Sequence, residues 1–207
     1  MDESEFVEVN EAVRKYNSLG RKLTYADYES WDDENRYELI DGVVYSMSAP
    51  STAHQSILVE LLTQLNIFLK GKQCRVFAAP YDVCLNGLGD NDDTVVQPDI
   101  LVICDNTIID AKRCNGAPDM VIEILSPSTS KRDLFIKLKK YQNAKVCEYW
   151  IVDPVSKSVN VHILENGHYV IHSYENHDEI HVDVLPGCVI KLQELFDYSS
   201  FSEPEEE

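Results

Sequence analysis

The sequence feature that most constrains this chain is an acid inside an otherwise apolar segment. Residues Met120 to Leu125 form a β-branched run of strand length, bounded by Pro118 and Pro127. Such a run is typical of a strand buried on both faces of a sheet. Glu123 lies in its middle, and a carboxylate in a dry strand is costly unless it is neutralised, hydrogen-bonded or bound to a metal. The sequence therefore predicts a compensating group beside Glu123.

The segment that follows this strand is unusually basic. Its pattern predicts a helix from about Asp133 to Ala144, preceded by serine and threonine side chains that can cap its first turn. Positions 131 to 145 hold six of the chain's 18 basic residues, although the formal net charge is -18. These six are Lys131, Arg132, Lys137, Lys139, Lys140 and Lys145. A buried acid followed by a cationic helix predicts a site for a metal ion and a phosphate group.

The length and composition are those of one globular domain. The chain has 207 residues, of which 44% are hydrophobic and 26% charged, enough for a full core. We expect an N-terminal extension over residues 1–20, a single domain over 21–198, and an acidic, disordered tail over 199–207. No run approaches a membrane span and the acidic start is unlike a signal peptide, so we expect a cytoplasmic protein without membrane contacts.

The cysteines are spread along the chain without a Cys-x-x-Cys pair. Close spacing is the usual mark of zinc ligands and redox dithiols, and disulfides are rare in the cytoplasm. We therefore expect reduced thiols, with Cys84, Cys104 and Cys147 in or beside the core.

Hydrophobic periodicity predicts a mixture of helices and strands. A long helix is predicted from Ala53 to Lys70 and a hairpin over Tyr37–Met47 that turns at Asp41-Gly42. The other predicted strands are Arg75–Leu85, Val95–Cys104, Glu148–Val152 and an antiparallel meander of Ser158–Leu164, His168–Tyr174 and Ile180–Leu185. The histidines of this last region, His162 among them, are predicted to face outward.

The partner acid of Glu123 must come from a neighbouring strand. Asp119 shares its strand, but four residues of strand span about 13 Å, too far for one metal ion. Asp99 is the natural candidate because it opens the apolar run Ile100–Cys104, and two acids on adjacent strands can share a hard divalent ion. The alternative is that Asp99 is a turn residue and that Glu123 pairs with a core arginine or lysine.

These residues carry a resemblance to a known family. Pro98-Asp99 followed by Glu123-Ile124-Leu125 resembles the PD-(D/E)XK nuclease signature, with Leu125 at the position of the lysine. The surrounding sequence is similar to the Uma-type family of putative restriction endonucleases, over roughly residues 22 to 195. The segments that carry this similarity are Arg36–Gly42, Pro50–Gln55, Val96–Val102, Pro118–Thr129, Asp133-x-x-x-Lys137-x-x-x-Tyr141 and Glu148–Pro154.

The resemblance implies an α/β fold with a restriction-endonuclease-like core. Its central β-sheet is mixed and flanked by helices, and the predicted antiparallel meander is an addition to that core. It also implies that the carboxylates of Asp99 and Glu123 and the carbonyl of Ile124 hold Mg²⁺ or Mn²⁺, the hard ions that oxygen ligands favour.

The resemblance implies further site residues, namely Lys137, Lys131, Glu38, His54 and Gln55. Lys137 would replace the missing lysine, with Lys131 as a nearer rival that could bind substrate; alternatively, Lys137 only pairs with Asp133 on the helix surface. Glu38 would be the acid that the N-terminal part contributes, or else a surface strand residue. His54 and Gln55, at the start of the long helix, would contact substrate, although His54 is equally explained as a capping-region residue.

The function implied is metal-dependent hydrolysis of DNA phosphodiester bonds by an endonuclease, and a homodimer is expected because cutting both strands needs two sites. The net charge and Leu125 favour an alternative, a non-catalytic binding or assembly module that retains the nuclease fold, since an acidic protein repels phosphates. A hydrolase of small phosphoesters is a third option.

Overall fold

The computed structural model describes residues 11–32, 35–47, 49–126 and 133–197. The predicted tail at 199–207 and Lys131 lie outside these residues. The helices are α1 (Glu11–Asn17), α2 (Tyr25–Glu29), α3 (Thr52–Leu69), α4 (Leu138–Ala144) and α5 (Leu192–Leu195), and a π-helical turn, Asp133–Lys137, leads into α4. None of the helices within the described ranges has both the length and the apolarity to cross a membrane.

The strands form two large sheets and one small one. The strands are β1 (Tyr37–Ile40), β2 (Val43–Ser46), β3 (Arg75–Ala78), β4 (Asp82–Cys84), β5 (Val95–Val96), β6 (Ile100–Ile103), β7 (Arg113–Asn115), β8 (Met120–Ile124), β9 (Glu148–Asp153), β10 (Ser158–Glu165), β11 (His168–Glu175), β12 (Glu179–His181) and β13 (Val189–Lys191). The first sheet has the order β2-β1-β5-β4-β7, the second β11-β10-β9-β8-β6-β3, and the third pairs β12 with β13. In the second sheet β8 is parallel to β9 and antiparallel to β6, so the central sheet is mixed as predicted.

The central strand β8 is buried on both faces, as its apolar sequence predicts. Met120, Ile122 and Ile124 pack with the apolar stripe of α3 in one core cluster. Val121, between them, belongs to a second cluster that joins the first sheet and α4. Because side chains alternate along a strand, Glu123 faces the same side as Val121, between the two sheets.

Two segments that were predicted as single strands are each divided between the sheets. The segment Arg75–Leu85 contains β3 of the second sheet and β4 of the first, and Val95–Cys104 contains β5 and β6 in the same way. Pro80, which follows a cis peptide bond, and Pro98 lie at the two crossings. Proline cannot donate a hydrogen bond to a ladder, so pairing ends there and the chain changes sheets.

The end of the predicted meander also differs from the prediction. β9, β10 and β11 are antiparallel neighbours, but the segment Ile180–Leu185 does not continue the sheet. Its first residues belong to β12, which pairs with β13, and Leu185 packs in the cluster under α3. The segment buries its apolar residues against the helical side of the sheet instead of extending the sheet edge.

Three predictions about single side chains are wrong. Cys74 and Cys104 form a disulfide, because the register Arg75↔Ile103 of β3 and β6 brings them opposite each other. Cys147 is exposed, because it lies in the turn before β9 and not inside the strand. His162 does not face outward: it is buried, and its Nδ1 lies 3.1 Å from the carbonyl oxygen of Tyr149. Burial lowers the pKa of His162 below its ordinary value of 6.5, because desolvation disfavours the charged ring.

The buried ring of His162 predicts a pH-dependent stability. Below pH 6.5 the unfolded chain takes up a proton at this position that the folded chain resists, so the free energy of unfolding falls as the pH falls from 6.5 towards the lowered pKa. We expect His162→Gln to flatten this dependence in urea unfolding between about pH 5 and 7, while His172→Gln on the exposed face of β11 leaves it unchanged. Equal slopes in wild type and His162→Gln would contradict the assignment.

Candidate active site

The group that compensates Glu123 is Lys137. Its Nζ lies 2.7 Å from Oε1 of Glu123, and the hydroxyl of Tyr141 donates to the same oxygen at 2.7 Å. Lys137 and Tyr141 are four residues apart, so they lie on one face of the helix that covers this side of the sheet. Burial, reinforced by the negative charge of Glu123, raises the pKa of the Tyr141 phenol well above its usual range, so it acts as a donor.

Lys137 also binds an acid from the other sheet. Its Nζ lies 2.8 Å from Oε1 of Glu38 on β1, and the same oxygen accepts the backbone N–H of Gln97 at 2.9 Å. The side chains of Lys137, Glu38 and Glu123 are 1%, 0% and 5% exposed, so water solvates none of these charges appreciably. Glu38 is therefore a buried residue, not the surface strand residue of the alternative prediction. The side chain of Asp133 lies outside the described residues.

Leu125 lies on the same face of the sheet as Glu123, because residues 123 and 125 are two apart on the same strand. It packs against the apolar cluster that includes Tyr141. The ammonium group at this face comes from Lys137, which lies in the π-helical turn that leads into α4.

Asp99 lies across from Glu123. The register of β6 and β8 pairs Leu101 with Val121, and two residues further along each strand it brings Asp99 opposite Glu123. Oδ2 of Asp99 accepts the backbone N–H of Ile124 at 2.7 Å and lies 3.1 Å from Nε2 of His54. Because the N–H and C=O of one strand residue face the same neighbour, the Ile124 carbonyl also faces the Asp99 side.

These groups line one cavity of about 100 Å³ at the meeting point of the two sheets and the start of α3. The residues of its lining that matter for its chemistry are Asp99, Glu123, Ile124, Lys137, His54, Gln55 and Arg36. Glu38 contacts Lys137 from the first sheet. Of the residues predicted from the sequence, Lys131 lies outside the described residues, and the other seven converge here.

The donors at this cavity suit a hard cation. Within the described residues no three acid, histidine or cysteine side chains are grouped to hold a metal. Mg²⁺ is usually bound by one or two carboxylates together with water and substrate phosphates, not by an all-protein cage. Two carboxylates and the Ile124 carbonyl fit that description. The site also carries one net negative charge. Glu38, Asp99 and Glu123 contribute three negative charges and Lys137 and Arg36 two positive charges, with His54 counted as neutral.

Two contributors to the site were not predicted as functional. In the sequence Tyr141 belongs only to a segment that carries the family resemblance, although its position four residues after Lys137 signals that both reach the same acid. Arg36 precedes β1, and its guanidinium contacts Oε1 of Gln97, which is 61 positions away. No local pattern could have indicated that pairing, because it depends on how β1 and β5 lie in the sheet.

Comparison with known proteins agrees with this architecture. A family model described as "Putative restriction endonuclease", the Uma2 family, matches residues 25–193. A protein of Synechocystis sp. (strain ATCC 27184 / PCC 6803 / Kazusa), described as uncharacterized protein slr1290, is 28% identical over 163 residues, which are 77% of this chain and 84% of that protein. A crystal structure from Anabaena variabilis ATCC 29413, described as a putative nuclease belonging to DUF820, is similar with a TM-score of 0.67 and 21% identity, over 84% of this chain and 97% of that one.

The fold is thus of a nuclease-like class, with a mixed central sheet flanked by helices, as predicted. The match to the family model extends over most of the sequence, and the chain belongs to the Uma2 family.

The buried cation of Lys137 predicts a large effect on stability. Lys137→Met keeps much of the side-chain volume but leaves Glu38 and Glu123 buried without their shared cation, which we expect to lower the free energy of unfolding by about 3–5 kcal/mol. The matched control is Lys139→Met on the exposed side of the same helix, with an expected change within about 0.5 kcal/mol. Urea denaturation measures both, and equal stability of the two variants would contradict the buried ion-pair assignment.

Proposed function

We propose that this protein is a divalent-metal-dependent endonuclease that hydrolyses phosphodiester bonds of DNA. Its site is of the PD-(D/E)XK type, with the lysine moved from the position of Leu125 to Lys137. The observation that carries the proposal is the 2.7 Å contact between Lys137 Nζ and Glu123 Oε1, in the cavity that Asp99 also lines. The description of the family as restriction endonucleases supports DNA as the substrate.

Asp99, Glu123 and the carbonyl of Ile124 are the proposed ligands of Mg²⁺ or Mn²⁺. When bound, such an ion supplies Lewis acidity, which polarises a phosphoryl oxygen and lowers the pKa of a water molecule. The chain itself keeps the ligands in place. The Ile124 N–H and His54 orient Asp99 through Oδ2, and Lys137 and Tyr141 orient Glu123 through Oε1.

Lys137 has the proposed role of orienting the attacking water and stabilising the negative charge that develops on the oxygens around the pentacovalent phosphorus. A preorganised ammonium group in a dry site is effective because little reorganisation is needed during the reaction. Glu38 would act as a positioning residue, since it holds Lys137 Nζ from the first sheet at 2.8 Å. Gln55 and Lys131 remain proposed substrate contacts.

The charge of the site supports binding of the metal ion before binding of DNA. The net negative charge at the cavity attracts a cation, and a divalent ion would change it to one net positive charge that accepts a phosphodiester. The protein as a whole carries a formal charge of -18 and repels DNA elsewhere. DNA binding is therefore proposed to depend on the metal.

We also propose that the protein acts in the cytoplasm as a homodimer, since cutting both strands of a duplex requires two sites. The edge strand β11 supports a dimer contact, because it ends the second sheet and exposes Val170 and Ile171. An uncovered edge of this kind can pair with another chain.

A cleavage assay with matched aspartate variants tests the proposal. Asp99→Asn retains an oxygen that can accept the Ile124 N–H but removes the charge that a metal requires, so we expect Mg²⁺- or Mn²⁺-dependent DNA cleavage to fall more than about 100-fold. The control is Asp119→Asn, immediately before the neighbouring strand β8. Asp119 also accepts a backbone N–H, from Cys104 at 2.7 Å, but lies outside the cavity.

Equal activity of Asp99→Asn and Asp119→Asn would reject the proposed metal ligand. A wild-type protein that cleaves no DNA with either ion would instead support the second candidate function, a binding or assembly module with the nuclease fold. One structural observation favours that candidate. Oε1 of Glu123 already accepts hydrogen bonds from both Lys137 and Tyr141, and these bonds compete with a metal ion for that oxygen.

A further inference from the structure

Arg36 lines the cavity and is anchored there by two hydrogen bonds. Its Nε and Nη2 donate to Oε1 of Gln97 at 3.2 and 2.7 Å. The amide of Gln97 is itself fixed, because its Nε2 donates to Oδ1 of Asp82 at 2.8 Å and to the hydroxyl of Tyr28 at 2.9 Å. Gln97 is only 7% exposed. The guanidinium is therefore preorganised by a buried network.

The guanidinium of Arg36 contacts the neutral amide of this network and not the carboxylate of Asp82. Its hydrogen-bond partner is a neutral amide, and among the described residues Arg36 forms no ion pair with a carboxylate. Lys137, the other cation of the cavity lining, contacts two carboxylates. A guanidinium has five N–H donors in a planar fork, so Arg36 retains donors that match the oxygens of a phosphate.

The start of α3 lies on the same cavity. This helix is 18 residues long, and its first-turn N–H groups carry the positive end of the helix dipole. Ser51 accepts the N–H of His54 at 3.2 Å, and Pro50, His54 and Gln55 line the cavity. The hairpin of β1 and β2 returns the chain to Arg36, because the Met47 N–H donates to the Arg36 carbonyl at 2.9 Å, and α3 begins five positions later at Thr52.

His54 lies between this place and the proposed metal ligands. Its side chain is buried, with 6% of the residue exposed, and Nε2 contacts Asp99. A neutral imidazole that donates from Nε2 can only accept at Nδ1, and a phosphodiester oxygen also only accepts. His54 therefore positions Asp99 and does not contact the phosphate.

We infer that Arg36 and Gln55 form a second phosphate subsite beside the start of α3, separate from the metal ligands. It binds the phosphodiester that neighbours the one hydrolysed, and so fixes the register of the nucleic-acid backbone against Asp99 and Glu123. This inference rests on the proposed function for the identity of the ligand, a nucleic-acid backbone. The anion site itself rests on Arg36 in the cavity lining and on its fixed anchor Gln97.

Kinetics with matched arginine variants test the subsite. Because Arg36 would contact a phosphate that does not react, we expect Arg36→Gln to raise KM for DNA about tenfold, with a smaller loss in kcat from the lost register. We also expect it to reduce the slope of log KM against log salt by about one. Arg36→Lys keeps the charge and should keep the slope, but loses the fork geometry and part of the affinity. The control is Arg75→Gln, an exposed arginine on β3 outside the cavity.

If wild type cleaves DNA and Arg36→Gln behaves like Arg75→Gln, the subsite is wrong and the proposed function stands. If wild type cleaves no DNA, the proposed function has failed, and titration with inorganic phosphate decides the anion site. Saturable phosphate binding that shifts the Arg36 Nε–H resonance, and is lost in Arg36→Gln but not in Arg75→Gln, would support it. Absence of such binding in wild type would overturn it.

Discussion

The ammonium group of Lys137 between Glu38 and Glu123 is the interaction on which the centre of this structure depends. Glu38 belongs to the first sheet and Glu123 to the second, and Lys137 comes from the helix that covers the space between them. Burial of any one of these charges alone would be strongly unfavourable. Together they join the two sheets and the helix at one point. The carboxylate proposed to bind the metal is thus also part of what holds the domain together, which limits how the site can change without loss of the fold.

The sequence was sufficient to predict the central strand, its following helix and the long helix α3, because each has a strong apolar period and clear ends. It was not sufficient to show where the chain changes sheets. A proline inside an apolar run is compatible with an edge strand, so Pro98 gave no sign that β5 and β6 lie in different sheets. Lys137 was predicted as a site residue only from the family resemblance. It lies 14 positions from Glu123, and neither helical nor strand periodicity links residues at that separation.

Burial of an acid did not by itself distinguish a candidate site from a structural role. Glu148 on β9 is fully buried, as Glu38 is and Glu123 nearly is. It lies outside the cavity, however, and in its described contacts it accepts only from neutral donors, Trp150 Nε1 at 2.7 Å and Val184 N at 3.0 Å. Burial raises the pKa of Glu148 above its ordinary value. The acids differ in their partners: Glu38 and Glu123 share a lysine, whereas Glu148 accepts from backbone and indole N–H groups. Tertiary contacts determine those partners.

The most direct test of this account is a crystal structure of the full chain grown with Mn²⁺, whose anomalous scattering locates the ion. The account predicts Mn²⁺ bound by Asp99, Glu123 and the Ile124 carbonyl, with Lys137 still in contact with both Glu38 and Glu123. An ion bound elsewhere, or a Lys137 turned away from the two acids while the fold is intact, would contradict it.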